Sequence, residues 1–93
     1  MNAPQQEQRV VETVVTVRVR YWAGARAAAG VDEEQVAGAA TVGALLEHLG
    51  GKHPALTPVL PVCSILVEGR TGTADVVLPD GAVVEVLPPF AGG

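Results

Sequence analysis

The segment TVVTVRVRY, residues 13–21, sets the first limit on what this chain becomes. Val15, Val17, Val19 and Tyr21 fall on one side and Thr16, Arg18 and Arg20 on the other, the period-two pattern of a strand with one buried face. Such a strand needs neighbours along its edges and an apolar layer against its inner side. The 93 residues suffice for one core, hence one domain. Apolar residues make up 48%, yet the aromatics are only Tyr21, Trp22 and Phe90. The interior must therefore be packed with Val, Leu, Ile and Ala, and the excess of β-branched side chains favours sheet.

Downstream, WAGARAAAG ends on Gly30 and suits a short helical turn closed by glycine. DEEQVAG offers a second short strand over residues 34–37, ended by Gly38. Thr41 is placed to cap a helix in which Val42, Leu45, Leu46 and Leu49 form one apolar stripe while Glu47, His48 and Lys52 point elsewhere. Gly50 and Gly51 weaken its end and Pro54 forbids simple continuation. PALTPVLP reads as an irregular or single helical turn, CSILVEG as a buried strand, and Pro79-Asp80-Gly81 as the turn before a last strand at residues 83–87. The order predicts an α+β domain in which a mixed sheet of four to five strands carries one main helix on one face. Its other face stays partly open. The boundaries expected are a flexible leader at 1–9, a single domain at 10–89 and an extended tail at 90–93.

Several function classes are disfavoured. Six Lys plus Arg stand against ten Asp plus Glu, a formal charge of -4, and no basic cluster could neutralise a run of phosphates. No apolar run approaches the length of a membrane span. MNAPQQEQRVVE does not resemble a secretory signal, and a lone Cys63 permits no intramolecular disulfide. A cytoplasmic protein that binds neither nucleic acid nor membrane is the expectation.

Phosphate-loop, dinucleotide, zinc-protease and C-x-x-C patterns are missing from the sequence. His48 and His53 are spaced so that they do not share a helical face, and they read as solvated surface residues rather than metal ligands. Cys63 opens an apolar strand with no cationic neighbour in sequence, which favours packing over reactivity. What remains is the ending, LPPFAGG. Pro88 and Pro89 cannot donate ladder hydrogen bonds and stiffen the exit. The last four residues then reach roughly 13 Å from the body at full extension. Gly92 and Gly93 lack Cβ atoms, so this backbone fits a channel too narrow for side chains. A frayed terminus is the competing reading of the tail by itself.

From about Val14 to Gly93 the sequence resembles the MoaD/ThiS family of ubiquitin-like sulfur carriers, and within it the molybdopterin synthase small-subunit branch. The resemblance is carried by YWAGARAAAG, ATVGALLEHL, KHPAL, PDG and LPPFAGG. The aromatic-Ala-x-x-Arg element, here Trp22, Ala23 and Arg26, joined to the terminal motif makes the match specific. It implies a β-grasp fold. It also implies that the Gly93 carboxylate is adenylated and then converted to a thiocarboxylate, with Gly92, Ala91, Phe90, Pro89, Pro88, Leu87 and Arg26 contacting partners.

The implied partners are an adenylating enzyme of the MoeB/ThiF type, a large synthase subunit of the MoaE type, and a sulfur donor such as a cysteine desulfurase or rhodanese. ATP and Mg²⁺ would be used by the adenylating enzyme, with no cofactor or metal held permanently by this chain and no catalytic side chains of its own. The chain departs from the family where Ala82 and Val83 replace acidic residues after Asp80-Gly81, and in VEGRTGTADVV. Sulfur transfer toward thiamin, cysteine or natural products, lysine modification of target proteins, and a binding module with an unused tail are the alternatives.

Overall fold

A computed structural model describes residues 14–89 of the chain. Five strands, β1 (Thr16–Tyr21), β2 (Glu33–Ala37), β3 (Ser64–Val67), β4 (Arg70–Thr71) and β5 (Val83–Leu87), and two α-helices, α1 (Ala23–Ala29) and α2 (Val42–Lys52), make up its regular structure with two 3₁₀ turns, Pro54–Leu56 and Leu60–Val62. The sheet order is β2-β1-β5-β3-β4. β1 pairs antiparallel with β2, from Thr16 opposite Ala37 to Arg20 opposite Glu33. It pairs parallel with β5, from Arg18 opposite Val83 to Tyr21 opposite Val86. A parallel pair needs a long crossover, and the residues between β1 and β5 supply it.

The alternation in β1 decides which face is covered. Val17, Val19 and Tyr21 are buried with Val36 of β2, Ile65 and Val67 of β3 and Val84 and Val86 of β5. Against them pack Val42, Leu45 and Leu49 of α2, together with Leu56, Leu60 and Leu78. Thr41 caps α2, its Oγ1 accepting from Ala44 N at 3.2 Å, and Leu46 is half-buried at the margin of the stripe. The helix runs through Gly50 and Gly51 to Lys52, since the backbone ladder holds as far as His53 N–H to Leu49 O at 2.8 Å. Gly50 allows the following loop to fold back, where the Thr57 hydroxyl donates to Gly50 O at 3.3 Å.

Three features depart from the sequence pattern. The proline-rich link forms two 3₁₀ turns rather than one irregular stretch. A second true helix, α1, spans seven residues and closes on Gly30 at φ 80°. The segment VEGRTG holds the two-residue strand β4, with Val67 opposite Arg70. Its turn places Glu68 at φ 51° and Gly69 at φ 82°, the paired positive values of a primed hairpin turn. Glu68 is an uncommon occupant there, and it gains a compensating bond, its Oε2 accepting from Val83 N at 2.6 Å. Of the leader expected at 1–9 and the domain start expected at Val10, everything before Val14 lies outside the described residues.

Candidate functional site at the foot of the tail

β5 carries the chain toward its last residues. Val84 and Val86 are fully buried while Val83, Glu85 and Leu87 alternate outward and are half-buried on the open face. Ser64 of β3 lies opposite Leu87. On the other side Trp22 N–H donates to Val86 O at 3.1 Å, so β5 is held on both flanks up to its final turn outward. Pro88 is half-buried and Pro89 exposed. Neither has an N–H to extend the ladder. Phe90, Ala91, Gly92 and Gly93 lie outside the described residues, so the expected docking position of Phe90 and the expected chemistry at Gly93 are not placed by the fold.

Trp22 borders this exit. It is 39% exposed, a large apolar area for a residue that also caps α1 from an extended conformation. The Arg20 guanidinium lies 5.5 Å from its ring centroid, a cation–π distance. Ala23, next in sequence, adopts φ 49°, which turns the chain sharply from β1 into α1. Arg26, on α1, is exposed and sits 3.8 Å from Asp32 Oδ1. Sequence reasoning named Arg26 and Leu87 but left Trp22 out of the partner-binding set. Its signal was present: a lone Trp directly after an alternating strand, in a chain with almost no aromatics.

A second cluster was missed altogether. Glu34 of β2 accepts from the Tyr21 hydroxyl at 2.6 Å and bonds His53 Nε2 at 2.7 Å through Oε2, while Lys52 Nζ donates to its Oε1 at 2.7 Å. Tyr21 and His53 meet edge to face with centroids 6.1 Å apart. The solvated-surface reading of His53 is corrected here: its side chain is 15% exposed and bound to Glu34. The error came from judging it by helical spacing, since His53 lies just past α2 and turns inward where the chain bends. Burial by itself would raise the Glu34 carboxyl, but hydrogen bonds from Lys52, Tyr21 and His53 outweigh it and hold the group near 2. Burial first, then the bond to Glu34 and its charge, push the Tyr21 phenol far above its ordinary value.

Cys63 is half-buried, its thiol donating to Val59 O at 3.3 Å. Burial raises its pKa, the opposite of what a nucleophilic thiolate needs. Among the described residues no group of three or more His, Cys, Asp or Glu could hold a metal ion. No described helix is long and apolar enough to cross a membrane.

This arrangement of sheet, helix and exit matches known proteins. The model of the ThiS family matches residues 19–93. The chain belongs to the ThiS family. The putative molybdopterin converting factor subunit 1 of Pyrococcus furiosus is 35% identical, with TM-score 0.74, over 82% of this chain and 99% of that one. Small archaeal modifier protein 1 of Methanosarcina acetivorans is 28% identical, with TM-score 0.75, over 88% and 100%. A complex of subunits 1 and 2 of the molybdopterin-converting factor from Helicobacter pylori is matched at 25% identity and TM-score 0.66, over 85% and 100%. No curated protein sequence matches. The ThiS-family fold is thus the β-grasp of ubiquitin-like sulfur carriers and modifiers.

The apolar residue directly after Asp80-Gly81 has a local reason. Ala82 is 3% exposed, its carbonyl accepting from Arg18 N at 2.9 Å and its N–H donating to Pro79 O at 3.1 Å. An acidic side chain there would have to be buried without a partner. Asp80 supplies charge at the turn instead, its Oδ1 accepting from Thr16 N at 2.9 Å.

Proposed function

We propose that this chain is a sulfur carrier whose Gly93 carboxylate is converted to a thiocarboxylate, and that it serves as the small subunit of a molybdopterin synthase. The observation carrying this reading is that β5 leads, past Leu87 and two prolines, out of the sheet at an open face bordered by an exposed Trp22, in a family match that runs through Gly93. The described residues bring no metal cluster and no activated thiol to that exit. In this reading partners carry out the chemistry at the tail.

The carboxylate is a poor electrophile, because its charge is shared over two oxygens and the leaving group would be oxide. An adenylating partner of the MoeB/ThiF type, using ATP and Mg²⁺, joins the carboxylate to AMP and releases pyrophosphate. A sulfur donor, a cysteine desulfurase or rhodanese, then replaces AMP at the acyl carbon. The carrier presents the resulting thiocarboxylate to a MoaE-type large subunit, where the sulfur passes to a pterin precursor. The likeness to the Helicobacter pylori complex of subunits 1 and 2 and to the Pyrococcus furiosus subunit 1 supports this branch.

Ordering four tail residues in a partner's channel costs on the order of 4–8 kcal/mol at about 1–2 per residue. Trp22, Val83 and Leu87 supply apolar area that offsets it on docking. This chain binds and orients; its partners move the electrons.

A second reading has support of its own: the likeness to small archaeal modifier protein 1 fits a modifier that joins Gly93 to lysines of other proteins. The two differ in product. Incubating the chain with an adenylating enzyme, ATP and a sulfur source, then weighing it, gives one oxygen replaced by sulfur for the carrier and amide-linked adducts for the modifier.

A further inference from the structure

Lys52 is the single lysine of the sequence and so its one side-chain amine. It ends α2, and its ammonium donates to Glu34 Oε1 at 2.7 Å. Glu34 is no loose surface carboxylate. Its side chain is 13% exposed, and its other oxygen is held by the Tyr21 hydroxyl at 2.6 Å and His53 Nε2 at 2.7 Å. The acceptor facing Lys52 is fixed by two contacts in which Lys52 has no part. The proposed sulfur chemistry uses none of these four side chains.

We propose that Glu34, held in place by Tyr21 and His53, guards Lys52 against acylation by an activated tail, whether the chain's own or that of a second copy. The activated acyl group is thereby left for sulfur instead of being lost to an internal or chain-to-chain amide. The proposal rests on the reading that the tail becomes an acyl-adenylate.

The chemistry sets what a guard must do. For an amide to form, the ammonium loses a proton to water, the nitrogen lone pair attacks the acyl carbon and a C–N bond forms, the nitrogen gives up a second proton to water, and the C–O bond to phosphate breaks, AMP leaving with the electron pair. An ammonium donating into a fixed carboxylate offers no lone pair. Freeing it leaves Glu34 without the partner on Oε1. The Lys52 side chain is 48% exposed, so the guard is electrostatic and not steric. Its size is that of a charge-assisted bond at a partly exposed site, a slowing of about three- to ten-fold.

The test uses the full chain and acetyl N-hydroxysuccinimide ester, with acetyl-Lys52 quantified by peptide mass spectrometry at neutral pH. Native chain is expected to react at Lys52 about three- to ten-fold more slowly than the same chain unfolded in guanidinium, and equal rates overturn the guard. Glu34→Gln, if its circular dichroism is native, is expected to bring the native rate toward the unfolded one. Tyr21→Phe, which loosens Glu34 without removing its charge, should give an intermediate rate. A native-like Glu34→Gln chain that reacts as slowly as wild type also overturns it. With an adenylating enzyme and ATP but no sulfur donor, Glu34→Gln should accumulate more Lys52-linked product than wild type, and equal accumulation counts against the guard. If neither chain is activated the carrier reading fails, while the reagent rates still decide the guard.

Discussion

Trp22 donates its backbone N–H to Val86 O at 3.1 Å, one step beyond the last paired residues of β1 and β5, Tyr21 and Val86. The bond ties the start of α1 to the end of β5. It holds the backbone of Trp22 beside the end of β5, where the described chain leaves the sheet.

Trp22→Ala and Leu87→Ala should each weaken binding to the large subunit, by about 2 kcal/mol or roughly thirty-fold for the tryptophan. Titration calorimetry measures this. Because Trp22 is 39% exposed and lies outside the buried core, its variant should keep the far-ultraviolet circular dichroism of wild type. Unchanged affinity in both variants would remove this surface from the account.

Arg26→Ala separates recognition from stability. The Arg26–Asp32 pair is 3.8 Å long, with side chains 56% and 83% exposed, and such pairs contribute little. Thermal stability should shift by less than about 0.5 kcal/mol. Adenylation by the partner enzyme should slow, which steady-state ATP–pyrophosphate exchange would read, and an unchanged exchange rate would remove Arg26 from the contact with that enzyme.

Acid should weaken the fold through Glu34. Its carboxyl is depressed from 4.5 to about 2, so the folded state holds the charged form better than the unfolded state does. The stability this gives is complete above pH 4.5 and is lost as pH falls from there through about 2. Glu34→Gln should lower the melting temperature near neutrality, corresponding to about 1–2 kcal/mol. The gap between the two chains should close toward pH 2. A gap independent of pH would show that the charge is not what Tyr21, Lys52 and His53 stabilise.

The β3–β4 hairpin and the loop after it offer a packing test. A Cβ at Gly72 would lie 2.9 Å from Val67 Cγ2 and 3.2 Å from Val42 Cγ2, so Gly72→Ala should cost about 1–3 kcal/mol. Glu68→Gln retains an acceptor for Val83 N, whereas Glu68→Ala does not. The alanine should unfold at lower denaturant by about 1 kcal/mol relative to the glutamine.

Much of this fold is legible in the sequence because its signals are local. Val17, Val19 and Tyr21 alternate with arginines, Thr41 precedes a clear apolar stripe, and Gly30, Gly38 and Gly81 stand where positive φ is needed. β4 is not legible, since two residues carry no periodicity and the strand exists only because β3 turns back at Glu68 and Gly69. The Glu34 cluster is equally silent. Its members lie 13 to 19 residues from Glu34 in sequence, and only the pairing of β2 with β1 and the bend after α2 bring them together. At the site, Leu87, Pro88 and Arg26 announce themselves by motif. Trp22 needed the register of β1 against β5 to show where its ring lies.

The most direct test is the mass of the chain after incubation with its adenylating enzyme, ATP and a sulfur source, with the modified atom located by fragmentation of the C-terminal peptide. Exchange of one oxygen for one sulfur at Gly93, abolished when Gly93 is deleted, is the predicted result. An unchanged mass under conditions that convert another ThiS-family carrier, or a sulfur atom found anywhere other than Gly93, would contradict it.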